Sequence, residues 1–223
     1  MSKSEQEKNQ SSKKSGSNKY FDIHGPVFWP SVILITSLII GTLIAGESAE
    51  QAFNSARVFI TDSANWLFVA AVNIFIGFSL YFAFSKYGKI RLGGQDAEPE
   101  FSTMAWFAML FSAGMGIGLM FYSVAEPMWH LISPPHAEAG TTDAIRDAMG
   151  ITFLHWGLHA WAVYAIVALA LAFFAFNRKL PLSFRSVFYP LLGDRINGWI
   201  GDVIDVLAVL ATLFGLATSL GLG

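Results

Sequence analysis

Two groups of residues in this chain have types and spacings that could do chemistry. The first is the run FSAGMGIGLMFYSVAEP at 111–127, where Gly114, Gly116 and Gly118 stand two apart inside an apolar segment. Each glycine costs a helix about 1 kcal/mol relative to alanine, and an open backbone group in lipid is costlier still. Three of them at membrane depth predict a local loss of regular helix. What such a break provides is a backbone that can approach or coordinate something small, which points to transport. Close helix packing through Gly114 and Gly118, a GxxxG pair, is the other reading, and spacing leaves both open. Glu126 and Pro127 follow. Proline disfavours helix at the residue before it, so an end or a kink is expected there. Glu126 reads as a hydrogen-bonding residue near the interface rather than a catalytic one.

The second group is ITFLHWGLHAWAVY at 151–164. On one helix at about 100° per residue, with Trp156 as origin, Phe153 falls near about 60°, Tyr164 near about 80° and Trp161 near about 140°. Four aromatics then share one broad face. Packing or an interfacial belt is one account. A belt clusters at the ends of a span, whereas Trp161 and Tyr164 fall in mid-span. The sharper account is an aromatic cage, whose ring faces each attract a desolvated quaternary ammonium by about 0.5–2 kcal/mol.

Other candidates are weaker. His155 and His159 are four apart, as in HExxH zinc sites, but Trp156 stands where that motif needs glutamate. Packing or polar contact inside a bundle is the expectation for both. Thr212, Thr218 and Ser219 are the polar members of the last apolar segment. Hydroxyls there usually bond their own backbone, and a minority coordinate Na⁺. No Ser-His-Asp pattern, phosphate loop or catalytic carboxylate pair stands out, so an enzyme is not expected. The absence of cysteine excludes disulfides, thiol nucleophiles and cysteine metal sites within this sequence.

The elements that must position these residues follow from composition. The 223 residues are 54% apolar and only 13% charged, against about 25% charged in soluble domains. An all-α membrane protein is expected, with the lipid bilayer as its surroundings. The net charge of −2 gives no reason to expect a nucleic-acid partner. Residues 1–25 are polar and lysine-rich and read as a disordered tail; residues 26–223 read as the transmembrane part. A span needs about 20 apolar residues, which predicts five, near 27–45, 66–84, 102–129, 150–176 and 200–223, the third broken at the glycines.

The tail holds five lysines, the 85–100 loop three basic residues and the 177–199 loop four, twelve of the fourteen in all. The positive-inside rule then places the N-terminus in the cytoplasm. The last segment, ATLFGLATSLGLG, stops inside an apolar stretch, which leads us to expect the N-terminal part of something longer.

With both motifs in view, the chain resembles the betaine/carnitine/choline transporter family over nearly everything after the tail. IRLGGQDAEPEFSTMAWFAMLFSAGMGIGLMFYSVAEP is similar to that family's signature region, and HWGLHAWAVYAIVALALAFFAF and ATLFGLATSLGLG to its next parts. The resemblance implies a LeuT-like inverted-repeat transporter, here two leading helices plus the first three of repeat one. It implies a trimethylammonium substrate held by Trp156, Trp161 and Tyr164, with Gly114, Gly116 and Gly118 on the unwound segment facing it. A glycine at 118 favours zwitterionic betaine, because choline leaves a bare cation that an aspartate there would balance. Na⁺ as coupling ion would meet carbonyls at Ser112 and Met115, and Thr212 matches one threonine of a second Na⁺ site. Leu216 stands where that site's other threonine is expected and counts against it. No other cofactor is implied.

The resulting expectation is a bacterial inner-membrane importer of an osmolyte, most simply glycine betaine by Na⁺ symport and alternating access. A homotrimer is implied by the resemblance. A choline or carnitine carrier, proton-coupled or exchanging, is the alternative. A non-transporting membrane sensor or assembly module is the alternative of another class.

Overall fold

The computed structural model describes residues 23–114 and 116–221. The expected tail, up to residue 22, and the position of Met115 lie outside the described residues. Among the described residues the architecture is all-helical: α1 Gly25–Ala45, α2 Glu47–Phe84, α3 Thr103–Gly114, α4 Ile117–Ile132, α5 Thr142–Trp156, α6 Leu158–Ala172, α7 Phe184–Val187, α8 Tyr189–Leu192 and α9 Trp199–Gly221. Four stretches are long and apolar enough to cross a membrane: α1, α2, the run Thr142–Asn177 and α9. The bent pair α3 and α4 makes a fifth, its halves meeting at 49°. Each expected span overlaps one of these four stretches or the bent pair.

Their bounds differ in places, each for a physical reason. The second span is expected to start near residue 66, yet α2 begins at Glu47. No glycine or proline interrupts residues 47–76, and Glu47 and Glu50 in the first turn suit the positive end of the helix dipole. At 38 residues α2 is about 57 Å long, well beyond the hydrocarbon thickness. The fourth span likewise begins earlier, at Thr142. There the Thr141 hydroxyl accepts from the Ala144 amide and caps the helix.

Helix α4 packs along α5, α2 against α6, and α9 against α1. The buried apolar side chains, Ala144, Ala148, Ala162 and Ile196, are few. Most large apolar side chains point outward, a surface that only lipid or further apolar protein can cover.

The tightest polar packing lies in the short elements between α6 and α9. Arg185 is 8% exposed. Its Nε–H donates to Asp205 at 2.6 Å, its Nη2–H to Asp202 at 2.8 Å, and its Nη1–H to the Ile196 carbonyl. Burial works against the charge on Arg185, but Asp205 and Asp202 outweigh it and hold its pKa above the ordinary value. His24, at the start of α1, pairs with Asp202 at 3.0 Å. Beyond α6 a π-turn at Phe173–Asn177 delivers Asn177 to the 85–100 loop. Its side chain donates to the Arg91 carbonyl and accepts from the Gly93 amide. His24 and both basic loops therefore meet on one face of the bundle.

Candidate functional site

Helix α3 ends at Gly114, and α4 resumes at Ile117 with Gly116 as its N-cap in an extended conformation, φ −75° and ψ 164°. No side chain caps that start, so the first amides of α4 have no intrahelical partner. The break expected from the three glycines is present. Packing holds for only one member of the GxxxG pair. A Cβ on Gly114 would stand 3.2 Å from Cη2 of Trp161, so the missing side chain is what lets that indole close on the end of α3. Around Gly116 and Gly118 nothing lies within 4 Å of a Cβ position. The two glycines of the pair fall on opposite sides of the break and do not form one packing ridge.

The aromatic segment is also broken, which the periodicity argument did not allow for. Helix α5 stops at Trp156 and α6 starts at Leu158, with Gly157 at φ −89° and ψ −142°. A Cβ on Gly157 would overlap the Phe153 carbonyl oxygen, so only glycine fits this join. The four aromatics consequently do not share a continuous face. Phe153 is 71% exposed. Trp156 turns toward α4, where its ring lies 5.7 Å from that of Tyr122 and its Nε1–H donates to Glu126 Oε2 at 2.5 Å. Trp161 and Tyr164 stay together, ring centroids 5.7 Å apart and planes at 41°. The Trp161 Nε1–H donates to the Trp156 carbonyl at 3.0 Å, an acceptor released by the join. The indole of Trp161 is thus held at its nitrogen by one broken helix and at its far edge by the other.

Glu126 has the hydrogen-bonding role read from the sequence, with more partners than the sequence shows. It is 7% exposed. Besides Trp156 it binds His155 Nδ1 through Oε1, and His130 Nε2 lies 3.5 Å from the same oxygen. The expected end or kink at Pro127 is not a helix end: α4 runs on to Ile132 with Pro127 inside it. Packing against α5 and the anchoring of Glu126 outweigh the single lost amide bond. His155 and His159 fall on opposite sides of Gly157, and His155 faces α4 as the expected polar contact within the bundle.

The candidate ion positions are less organised. Ser112 sits exposed in the last turn of α3. Thr212 donates to the Ala208 carbonyl at 2.8 Å, and Thr218 to that of Phe214, the ordinary back-bonding of a membrane hydroxyl. Thr212 keeps its acceptor lone pairs and borders a groove with Val27, Ser183 and Asp205. Leu216, where a second threonine was expected, is an exposed apolar residue of α9. Sequence reasoning missed Tyr122, His130 and the join at Gly157. The spacing of Glu126 and His130, one helical turn, was the available signal for one of them.

Comparison with known proteins places this arrangement. The family model described as "BCCT, betaine/carnitine/choline family transporter" matches residues 26–223. The chain is similar to "Glycine betaine transporter 1" of Vibrio parahaemolyticus, 54% identical over 208 residues, 91% of this chain and 40% of that protein. It is similar to a glycine betaine/proline/choline/ectoine transporter of the same organism, 53% identical over 208 residues, 91% of this chain and 37% of that protein. It is also similar to the glycine betaine transporter OpuD of Bacillus subtilis, 50% identical over 198 residues, 88% of this chain and 39% of that protein. The chain spans about two fifths of the length of these relatives. With a multi-pass helical architecture, a glycine-broken third span and a match over all but the tail, the chain belongs to the betaine/carnitine/choline transporter family.

Proposed function

We propose that the whole protein is a secondary active transporter that imports a trimethylammonium osmolyte, glycine betaine first, by Na⁺ symport and alternating access. The observation that carries this reading is the Trp161–Tyr164 pair, held between two broken helices with Trp161 against Gly114. A ring fixed at both ends offers its face to a cation at little further cost in side-chain entropy. The proposed cage is the Trp161–Tyr164 pair; Trp156, which the resemblance adds to it, is turned toward Tyr122 and Glu126, and Gly116 and Gly118 leave the approach open. Ser112, Met115 and Thr212 are the proposed Na⁺ contacts. The bacterial inner membrane, a cytoplasmic N-terminus and a homotrimer belong to the same reading.

A broader choline-carrying reading has one observation in its favour. The free space at Gly118 suits more than one substrate, and a relative 53% identical is named for betaine, proline, choline and ectoine.

The test is uptake of labelled betaine by the full-length protein carrying Trp161→Ala. Losing one desolvated cation–π contact predicts roughly tenfold weaker uptake at low concentration. Wild-type kinetics in that variant would remove the cage. Betaine uptake indifferent to Na⁺ would leave the cage and remove the symport. A full-length protein that binds no trimethylammonium compound at millimolar concentration would favour the sensor or assembly reading.

A further inference from the structure

Among the described residues, a set of three ligating groups lies where α4 meets α5. Glu126 Oε1, His130 Nε2 and His155 Nδ1 fall within 4.8 Å of one another. Two imidazoles and one carboxylate from two helices form a donor set suited to a first-row divalent metal. We propose that Glu126, His130 and His155 form a divalent transition-metal site, of which Zn²⁺ is the simplest occupant, joining α4 to α5 beside Trp156.

Three features of the geometry support this. The first is spacing. Tetrahedral Zn²⁺ with bonds of about 2.0–2.1 Å holds its ligand atoms about 3.3 Å apart. His130 Nε2 already stands 3.5 Å from Glu126 Oε1. His155 Nδ1 is hydrogen-bonded to the same oxygen, and an ion would take the place of that bond.

The second is orientation. Glu126 is buried, and its other oxygen accepts the Trp156 Nε1–H at 2.5 Å. A ligating carboxylate fixed through its second oxygen by a neighbouring donor is the usual outer arrangement of a metal site. Here it leaves Oε1 turned toward both histidines.

The third is access. In this chain the His155 side chain is 55% exposed and that of His130 25%, which leaves the ligating atoms open to an ion from that side. Three protein ligands would leave a fourth position for water. Within the described residues His130 and Glu126 are one turn apart on α4, while His155 lies on α5 directly before the Gly157 join. An ion here would therefore link the two helices whose neighbours carry Gly114 and Trp161. Metal binding itself does not depend on the transport reading.

The experiment uses the full-length, tag-free protein in detergent. It is titrated with Co²⁺ followed by visible absorption, then with Zn²⁺ in competition. The expected result is saturable binding with one ion per chain and the ligand-field bands of a nitrogen- and oxygen-bound Co²⁺. His130→Ala and His155→Ala should each weaken Zn²⁺ binding by about a hundredfold or more. Trp156→Phe, which removes the hydrogen bond that orients Glu126 and keeps an aromatic ring beside Tyr122, should weaken it by roughly tenfold. His159→Ala, on the far side of the join, should leave binding unchanged. Tryptophan fluorescence of each variant checks that the fold survives. Absence of saturable binding by folded wild-type protein, or binding that persists when both His130 and His155 are replaced, overturns the proposal.

Discussion

Trp161 is the residue on which the candidate site turns, because two separate backbone breaks meet on its ring. Its nitrogen is bonded to the Trp156 carbonyl, and its far edge rests where a side chain on residue 114 would be. A methyl at that position would press on the ring at 3.2 Å, a gap that only a small shift of the ring relieves. On the proposed reading, Gly114→Ala should therefore lower betaine affinity by about tenfold with little change in expression, because the contact moves the proposed cage and not the fold. Phe153→Leu, at an exposed position away from the pair, should change affinity by less than about twofold. Equilibrium binding on the two purified variants checks both.

Gly118→Asp is a test of substrate charge. The space around residue 118 admits a side chain, and a carboxylate there would balance choline while opposing the carboxylate that betaine carries. Competitive uptake should shift toward choline, and an unchanged preference would sink the idea.

Much of this was legible in the residues themselves. Glycines at membrane depth and mid-span aromatics have few cheap explanations. The partners of Glu126 were not legible, since His155 and Trp156 lie 29 and 30 residues away and only packing of α4 on α5 brings them in.

At the scale of elements, the sequence shows where helices exist better than where they break. Apolar content marks the helices, so four membrane-length stretches and one bent pair overlap the expected spans. The break at 114–116 was predicted because three glycines cluster there. The join at Gly157 was not, because a single glycine inside an apolar run also reads as a tolerated helical residue. Periodicity carried across it then placed Trp156 and Trp161 on one face when the backbone turns between them. The same reasoning missed the length of α2, where residues 47–65 fall before the expected span although nothing in them ends a helix.

The strength of the Gly157 join can be measured. A side chain there meets the Phe153 carbonyl, so Gly157→Val forces the backbone toward another conformation. Overpacking of this kind costs about 1–3 kcal/mol. Thermal unfolding in detergent should shift downward. The indole contact between Trp161 and the Trp156 carbonyl should be lost with it, read as a change in tryptophan emission.

At the scale of the whole molecule, the contacts give a topology that charge counting alone only implied. His24 at the head of α1 pairs with Asp202 in the first turn of α9, and Asn177 after α6 ties to the loop after α2. These bonds place His24, the 85–100 loop and the 177–199 loop together, and the two loops carry seven of the fourteen basic residues. Arg185 is the knot of that face. Removing it leaves Asp202 with His24 alone and Asp205 with the residue 185 amide alone, so Arg185→Ala should destabilise the protein by about 3 kcal/mol, the lower end for a broken buried pair. Its raised pKa means the stabilising charge is complete below the unfolded value and lost only as pH rises through the folded one. Salt-bridge stability from Arg185 should therefore stay constant across the neutral range, and unfolding between mildly acid and mildly alkaline pH checks this.

The side of the membrane on which the Arg185 face lies is the remaining question at this scale, and it separates two physical causes. Contacts within the bundle require only that the two basic loops share a side. The positive-inside rule adds that the side is cytoplasmic. This sequence contains no cysteine, so single cysteines can be placed in the full-length protein once any others are replaced. Lys89→Cys and Arg195→Cys should then behave alike toward a membrane-impermeant maleimide, both shielded in intact cells and labelled in inverted vesicles. His136→Cys, in the segment between α4 and α5, should show the opposite pattern. If Lys89→Cys and Arg195→Cys label from opposite sides, the arrangement of the bundle fails, whatever the charges say. If they label together from outside, the bundle stands and the charge rule is overridden, with selection of orientation passing to interactions beyond these loops.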